Sequence, residues 1–370
     1  MRRTGTAIMP LHGGRAPSWL FERMKRLASS IVAVAVYEIG TRALLRRLSD
    51  PYWFQCLGCV LGFDWHSSGL TTTVTGAIKE GISGMEKEIG LFVAGGKGRR
   101  SRKTPDELRD YGDKHGFDAD RYILYSRLSA KVDNTAVQDG YQLYHHCFFL
   151  DMQGNWAVIQ QGMSESDKRA RRYHWLGEAL ESFVVDPHAA VCSDSRGSTL
   201  NLVHHESQPA QKLIVELSRE HPDRVFNDLK RLSESDSLFG NLRLPDRHYQ
   251  RVSDIRPERY RSILLKTYEA GVKDFQSLLT VEGMGPKTLR ALALVAELIY
   301  GTPASYEDPA RYSYALGGKD GVPYPVDRIT YDKTIHIMER AINKARVERS
   351  EKISALKRLH TVVSKTISVL

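Results

Sequence analysis

The sequence predicts two domains: an α+β domain over residues 1–190 and an all-α domain over residues 209–370, joined by a linker at 191–208. Three observations carry that prediction. A chain of 370 residues is longer than one ordinary core accommodates. Strand and helix patterns mix before residue 190 without a repeating βαβ rhythm. From Pro209 onward every periodic pattern is helical.

The elements follow in order. Residues 18–48 read as one amphipathic helix, capped by Ser18 and ending in the basic run Arg42 to Arg47. Strand-like material is expected after Pro51, with the β-branched run Leu70-Thr71-Thr72-Thr73-Val74-Thr75 as one strand and Gly90-Leu91-Phe92-Val93-Ala94 as a buried one. Cys147 to Leu150 and Trp156 to Gln160 flank a Gly-Asn turn and predict a β-hairpin. Helices are expected over 104–116 and 124–140. The stretch Val191 to Gln208, rich in Ser, Asp and Gly, reads as the linker. Helices follow over 209–220, 222–235, 257–270, 274–280, 286–300 and 332–367.

The chain carries 41% apolar and 26% charged residues, a net charge of +9 and a pI near 9.2, so a polyanion is the expected partner. The charge is also segregated. Residues 1–50 hold nine Lys/Arg against three Asp/Glu, residues 333–365 hold the same ratio, and Lys97 to Lys103 places five cations in seven positions. Four cysteines are too few for a disulfide scaffold. Cys56 and Cys59 form a CxxC inside an apolar run with no second CxxC, which favours buried reduced thiols over zinc or redox chemistry. Met1-Arg2-Arg3 has no apolar segment behind it, and the longest apolar stretch, Ile31 to Tyr37, is short of a membrane span. The expected location is the cytoplasm, without a membrane.

The sharpest local signal is Phe275 to Ala293, where a short apolar helix meets Gly283-Met284-Gly285 and a second helix opens at Pro286. Proline suits the first helical position, and glycine lets backbone approach another molecule closely. The new helix then offers free N–H groups and its positive dipole end to an anion, with Lys287 and Thr288 beside them. The segment resembles the helix-hairpin-helix family, whose hairpin glycines hold DNA backbone without reading sequence, so the resemblance implies DNA as partner and an all-α helix-hairpin-helix domain. Gly285-Pro286-Lys287-Thr288, the helix after it, and Pro325-Val326-Asp327-Arg328 also resemble helix-hairpin-helix DNA glycosylases. That likeness implies Lys287 as a nucleophile toward the sugar and Asp327 as its assistant, although the two stand 40 residues apart with an insertion between them.

The whole chain resembles an uncharacterised family, domain of unknown function 763. Asp64 to Gly69, Gly95 to Gly98, Lys131 to Asn134 and Gln138 to His146 carry that likeness, which implies no activity. Gly95-Gly96-Lys97-Gly98-Arg99-Arg100-Ser101-Arg102-Lys103 lies between a strand and a helix and suits phosphate, though not with the spacing of a nucleotide P-loop. Residues 131–175 crowd polar groups: Lys131, Asp133, Asp139, His145, His146, Gln160, Gln161, Arg171, Arg172 and His174. On a helix over 124–140, Lys131 and Asp139 share a face. Asp139 with His145 or His146 could then hold Mg²⁺ or Mn²⁺ and activate water against phosphate, with Asp139 and His146 as the ligands. Adjacent histidines on a strand point to opposite faces, so one of the pair is excluded from that site. The equally open reading makes these residues structural. Tyr141, Tyr144, Phe148, Phe149, Trp156, Tyr173 and Trp175 could stack on bases, but core packing is the first expectation. The function expected from all this is DNA binding without strong sequence preference in DNA processing or repair. A metal-dependent nuclease comes first, with a glycosylase/lyase or a non-catalytic adaptor as alternatives.

Overall fold

Alternating apolar residues along three long strands build the centre of the molecule. In the computed structural model, which describes residues 9, 16–63, 67–193, 195–234, 260–310, 328–345 and 347–367, these are β1 (Leu91–Lys97), β3 (Gln142–Asp151) and β4 (Trp156–Ser164). With β5 (Arg169–Leu176) and β6 (Ala190–Cys192) they form an antiparallel sheet in the order β1-β3-β4-β5-β6. The predicted hairpin is β3–β4, in register from Leu150 opposite Trp156 to Gln142 opposite Met163, with a shift between Leu143 and His145.

Both faces of this sheet are buried. Phe92, Ala94, Phe148, Leu150, Trp156, Val158 and Trp175 face one helical layer, while Leu91, Val93, Cys147, Phe149, Ala157 and Ile159 face another. The first layer holds α5 (Thr104–His115), α6 (Ala119–Lys131), α7 (Gln208–Arg219), α8 (Pro222–Glu234), α9 (Arg261–Ala270), α10 (Phe275–Thr280) and α11 (Pro286–Leu298). The second holds α1 (Ser18–Ser49), α2 (Pro51–Leu61), α3 (Gly69–Gly81), α12 (Arg328–Lys344) and α13 (Arg349–Ile367). A short α4 (Glu86–Ile89) leads into β1, and a minor pair joins β2 (Val137–Gln138) to β7 (Leu200–Asn201).

This arrangement corrects several expectations. Residues 70–75 are helical, within α3, because Leu70, Val74, Ala77 and Ile78 repeat at helical spacing and are buried on one side. The Thr72 and Thr75 hydroxyls donate to the Gly69 and Thr71 carbonyls, so β-branched side chains are accommodated there. The run after Pro51 is also a helix, opened by the Asp50 carboxylate accepting from the Tyr52 and Trp53 N–H groups, with Pro51 at its first position. Helix α1 starts as expected, but Pro17 rather than Ser18 precedes it, and Gly40 (φ 80, ψ 162) breaks it. The helix expected to 140 stops at Lys131; a wider turn, Val132–Ala136, then leads into β2. The terminal 332–367 pattern is two helices.

The division into domains changes too. Residues 191–208 are woven into the fold, with β6 on the sheet, β7 paired to β2, and Leu200, Leu202 and Val203 in the core. Helices α7–α11 share one core with a sheet face rather than forming an all-α unit of their own. Helices α12 and α13 return to the opposite layer, where Lys344 pairs with Glu38 at 2.7 Å and Arg358 donates to the Val60 carbonyl at 2.8 Å. Helix α1 is, among the described residues, the one helix long and apolar enough to cross a membrane, which counting uninterrupted apolar runs did not reveal. Its Met24, Leu27, Ala28, Ile31, Val32 and Ala35 are buried in the second layer, where α1 packs against α3 and α12.

Close approach of α3 to α1 makes a test of this packing. A Cβ on Gly81 would stand 2.5 Å from the Lys25 carbonyl oxygen, whereas one on Gly76 would meet Phe21 at 3.7 Å, an ordinary contact. Gly81→Ala is therefore expected to destabilise by about 1–3 kcal/mol. Gly76→Ala, in the same helix, is expected to be neutral or to stabilise by up to about 1 kcal/mol. Urea unfolding of the two variants checks this; equal effects would contradict the α1–α3 contact.

Candidate nucleic-acid interface

The turn singled out in the sequence joins α10 to α11. Asp274 and Ser277 cap α10 reciprocally, with the Ser277 N–H donating to the Asp274 carboxylate at 2.7 Å. Gly283 takes φ +86, a conformation glycine adopts freely, and Met284 plugs into the core beneath the turn. Gly285 is extended, Pro286 opens α11, and the Leu289 N–H donates to the Gly285 carbonyl at 3.1 Å. The first-turn N–H groups of α11 thus lack partners within the helix. Gly283 and Lys287 are exposed, while Thr288 is buried.

Lys131 has a different place from the one expected. Its ammonium donates to the Met284 carbonyl at 2.6 Å, and burial lowers its pKa. Gln138 donates to the Pro286 carbonyl at 2.8 Å and accepts from Arg290 at 2.8 Å. Two side chains beneath the turn therefore hold its carbonyls, with Arg290 donating to Gln138, and a signal for this brace could have been found only by knowing that α6 ends under the turn. Asp327, the expected companion of Lys287, lies outside the described residues.

The basic loop lies at the end of β1. Gly95 takes φ +95, and a Cβ there would overlap the His146 carbonyl, so the crossing requires glycine. Glu107 anchors it by accepting from the Gly95 N–H at 2.6 Å and from Lys79 at 2.7 Å. Lys97 ends β1, and Arg99, Arg100, Arg102 and Lys103 follow on a 3₁₀ turn, Gly98–Lys103, in which no residue is buried. Arg100 pairs with Glu80 at 3.1 Å. Lys97 and Arg99 line a groove of about 1510 Å³ that runs between this loop and the start of α3, with Ser68, Phe21, Phe63 and Tyr144 among its walls. Two of the sequence blocks that carry the family likeness, Ser67 to Gly69 and Gly95 to Lys97, thus meet across one cleft.

The polar residues of 131–175 are divided by the sheet. His146 faces α6, bonded to Ser126 at 2.8 Å and Gln160 at 2.8 Å; Gln160 donates to Asp133 at 2.6 Å. Asp133 also accepts from Trp175 at 2.9 Å and contacts His188 at 2.5 Å. His145 faces the opposite way and meets Thr75 of α3 at 3.0 Å. Beside it Gln161 donates to the Ser68 carbonyl at 2.8 Å and to the Tyr144 hydroxyl, and Arg172 donates to Gln55 at 3.0 Å and to His174 at 2.9 Å. The expected opposition of the two histidines holds.

Asp139 shares no helix face with Lys131, since it follows β2. Its carboxylate accepts from Arg171 at 2.9 Å, Tyr173 at 2.6 Å and the Tyr141 N–H at 3.0 Å. Arg171 is buried; burial works against its charge, but Asp139 and Asp308 outweigh that and raise its pKa. An Asp139–His146 metal site is therefore not what the fold builds: the carboxylate is engaged by a buried guanidinium, and His146 by Ser126 and Gln160. The aromatics are mainly core, as first expected: Tyr141, Phe148, Phe149, Trp156, Tyr173 and Trp175 are buried. Cys56, Cys59, Cys147 and Cys192 are buried free thiols, and burial pushes Cys147 up to about 12.

The chain belongs to the family of proteins of unknown function DUF763, whose family model matches residues 5–326. No curated protein and no solved structure matches it.

Two predictions follow from the buried polar groups. Asp139→Ala leaves the Arg171 guanidinium short of a partner in the interior, so it is expected to destabilise by about 3–5 kcal/mol in urea unfolding. Unchanged stability would free Asp139 for another role. Burial, then the neighbouring His146 and Lys97, lower the His145 pKa to about 3. Because the unfolded chain binds that proton near pH 6.5, His145 contributes stability above that pH that is lost as the pH falls toward about 3. The stability lost between pH 7 and pH 5 is expected to shrink in His145→Gln; identical losses would place His145 in solvent.

Proposed function

We propose that this protein binds DNA through its phosphate backbone, without strong sequence preference, as part of DNA processing or repair. The observation that carries the reading is the α10–α11 turn. Gly283 and Lys287 face solvent, the first-turn amides of α11 are unpaired within the helix, and the turn is held from below by Lys131 and Gln138. That arrangement suits a helix-hairpin-helix grip, in which N–H groups, the helix dipole and one cation converge on a phosphate. The loop cations Lys97 and Arg99, on a chain of net charge +9, supply a second contact.

Gly285→Val tests the grip cleanly. Gly285 has an ordinary extended backbone, and a Cβ there would meet nothing nearer than 3.7 Å, so the fold tolerates the change while a bulky group blocks phosphate approach. Losing charge-assisted hydrogen bonds of about 1.5–3 kcal/mol is expected to weaken duplex binding roughly tenfold or more in fluorescence anisotropy. Lys287→Ala is expected to reduce the slope of log affinity against log salt by about 0.9, the release of one phosphate contact. Wild-type affinity in Gly285→Val, or a wild-type slope near zero, overturns the proposal.

A further inference from the structure

Three segments distant in sequence meet where the loop before β6 touches the turn after β7. Asp186 adopts φ +42, and its N–H donates to the Val203 carbonyl at 2.7 Å, which ties the loop to the turn. Its carboxylate meets His205 Nδ1 at 2.9 Å. The neighbouring His204 is buried, and its Nδ1 accepts from the Glu206 N–H at 3.3 Å. Its Nε2 lies 3.5 Å from Glu307 Oε2. The two imidazole rings lie with centroids 4.2 Å apart. One donor atom each from Asp186, His204 and His205 fall within 4.8 Å of one another.

The charge around these rings points to a cation. Asp186, Glu206 and Glu307 carry three carboxylates beside two imidazoles, with Glu206 at 3.6 Å from His204. Among the described residues no Lys or Arg pairs with any of the three, although the chain as a whole is strongly basic. Ligand atoms about a zinc ion at roughly 2.0–2.2 Å stand somewhat closer together than this spacing, within reach of a small side-chain rotation. Imidazole donors favour zinc, cobalt or nickel over magnesium or calcium.

We propose that Asp186, His204 and His205 bind a divalent transition cation of the zinc class. The site is separate from the hairpin and the basic groove and does not depend on DNA binding. A bound ion would fasten the loop before β6 to the turn leading into α7, which is a structural use of metal.

Full-length protein stripped with EDTA and titrated with ZnCl₂ by calorimetry tests the site, with Co²⁺ absorption as a second readout of the ligand set. Saturable one-to-one binding and a raised melting temperature are expected. Asp186→Asn and His205→Gln are both expected to weaken zinc about tenfold or more, as losing a ligand costs at least what losing a supporting residue does. The His205 side chain is 58% exposed, so His205→Gln leaves folding least disturbed. Absence of saturable binding overturns the proposal, because the histidines are then ordinary ion-pair partners. Undiminished binding in both variants overturns it equally, because the ion then sits elsewhere.

Discussion

Burial of the five-stranded sheet on both faces is the constraint on which the rest of the structure depends. A strand covered on one side alternates apolar and polar residues; one covered on both sides must place something compatible with the interior at every position. Over most of β1, β3 and β4 the answer is apolar residues, sent alternately into the two cores. Toward one end β3, β4 and β5 carry His145, His146, Gln160, Gln161, Arg171 and Arg172, all buried. Buried polar groups are costly unless hydrogen-bonded, and the surrounding elements answer most of that demand, leaving His145 Nδ1, Gln161 Oε1 and Arg171 Nε without a hydrogen bond among the described residues. Thr71, Thr75 and Gln55 do so from one layer, and Ser126, Asp133 and Asp139 from the other.

The same constraint explains why helices from distant parts of the chain belong to one body. Neither layer is complete from contiguous sequence. The layer containing α1 to α3 is closed by α12 and α13, and the layer containing α5 and α6 by α7 to α11. A chain that must cover two faces of one sheet passes back and forth between them, and the segment at 191–208 leads from the sheet into α7 of the first layer. Its Ser and Gly content made it resemble a tether, yet Ser207 donates to the Asn201 carbonyl and Gln211 to the Leu202 carbonyl, so polarity there serves internal bonding.

The hairpin and the groove inherit their rigidity from this body. A glycine turn on its own is flexible, and flexible donors lose entropy on binding. Here the carbonyls of Met284 and Pro286 are held by Lys131 and Gln138, residues from the stretch that leaves α6 for the sheet. The groove likewise sits between α3 and the end of β1, with Lys79 and Glu107 locking the glycine crossing from behind.

The sequence by itself determined the elements whose signals are local. The hairpin β3–β4, the strand β1, the helices α5, α7, α8, α10 and α11, and the glycine turn were legible because apolar period, caps and turn residues report on neighbours a few positions away. The opposition of His145 and His146 was legible for the same reason, as strand geometry alone requires it. Only the tertiary structure decided what depends on partners far along the chain. Burial against α1 made Leu70 to Thr75 a helix despite its β-branched residues. Arg171, 32 positions away, made Asp139 an ion-pair partner rather than a metal ligand. Met284, 153 positions away, made Lys131 a brace. Pattern fixes which way a side chain points along its own element, whereas its charge state and its partner are set by whatever the folded chain packs against it.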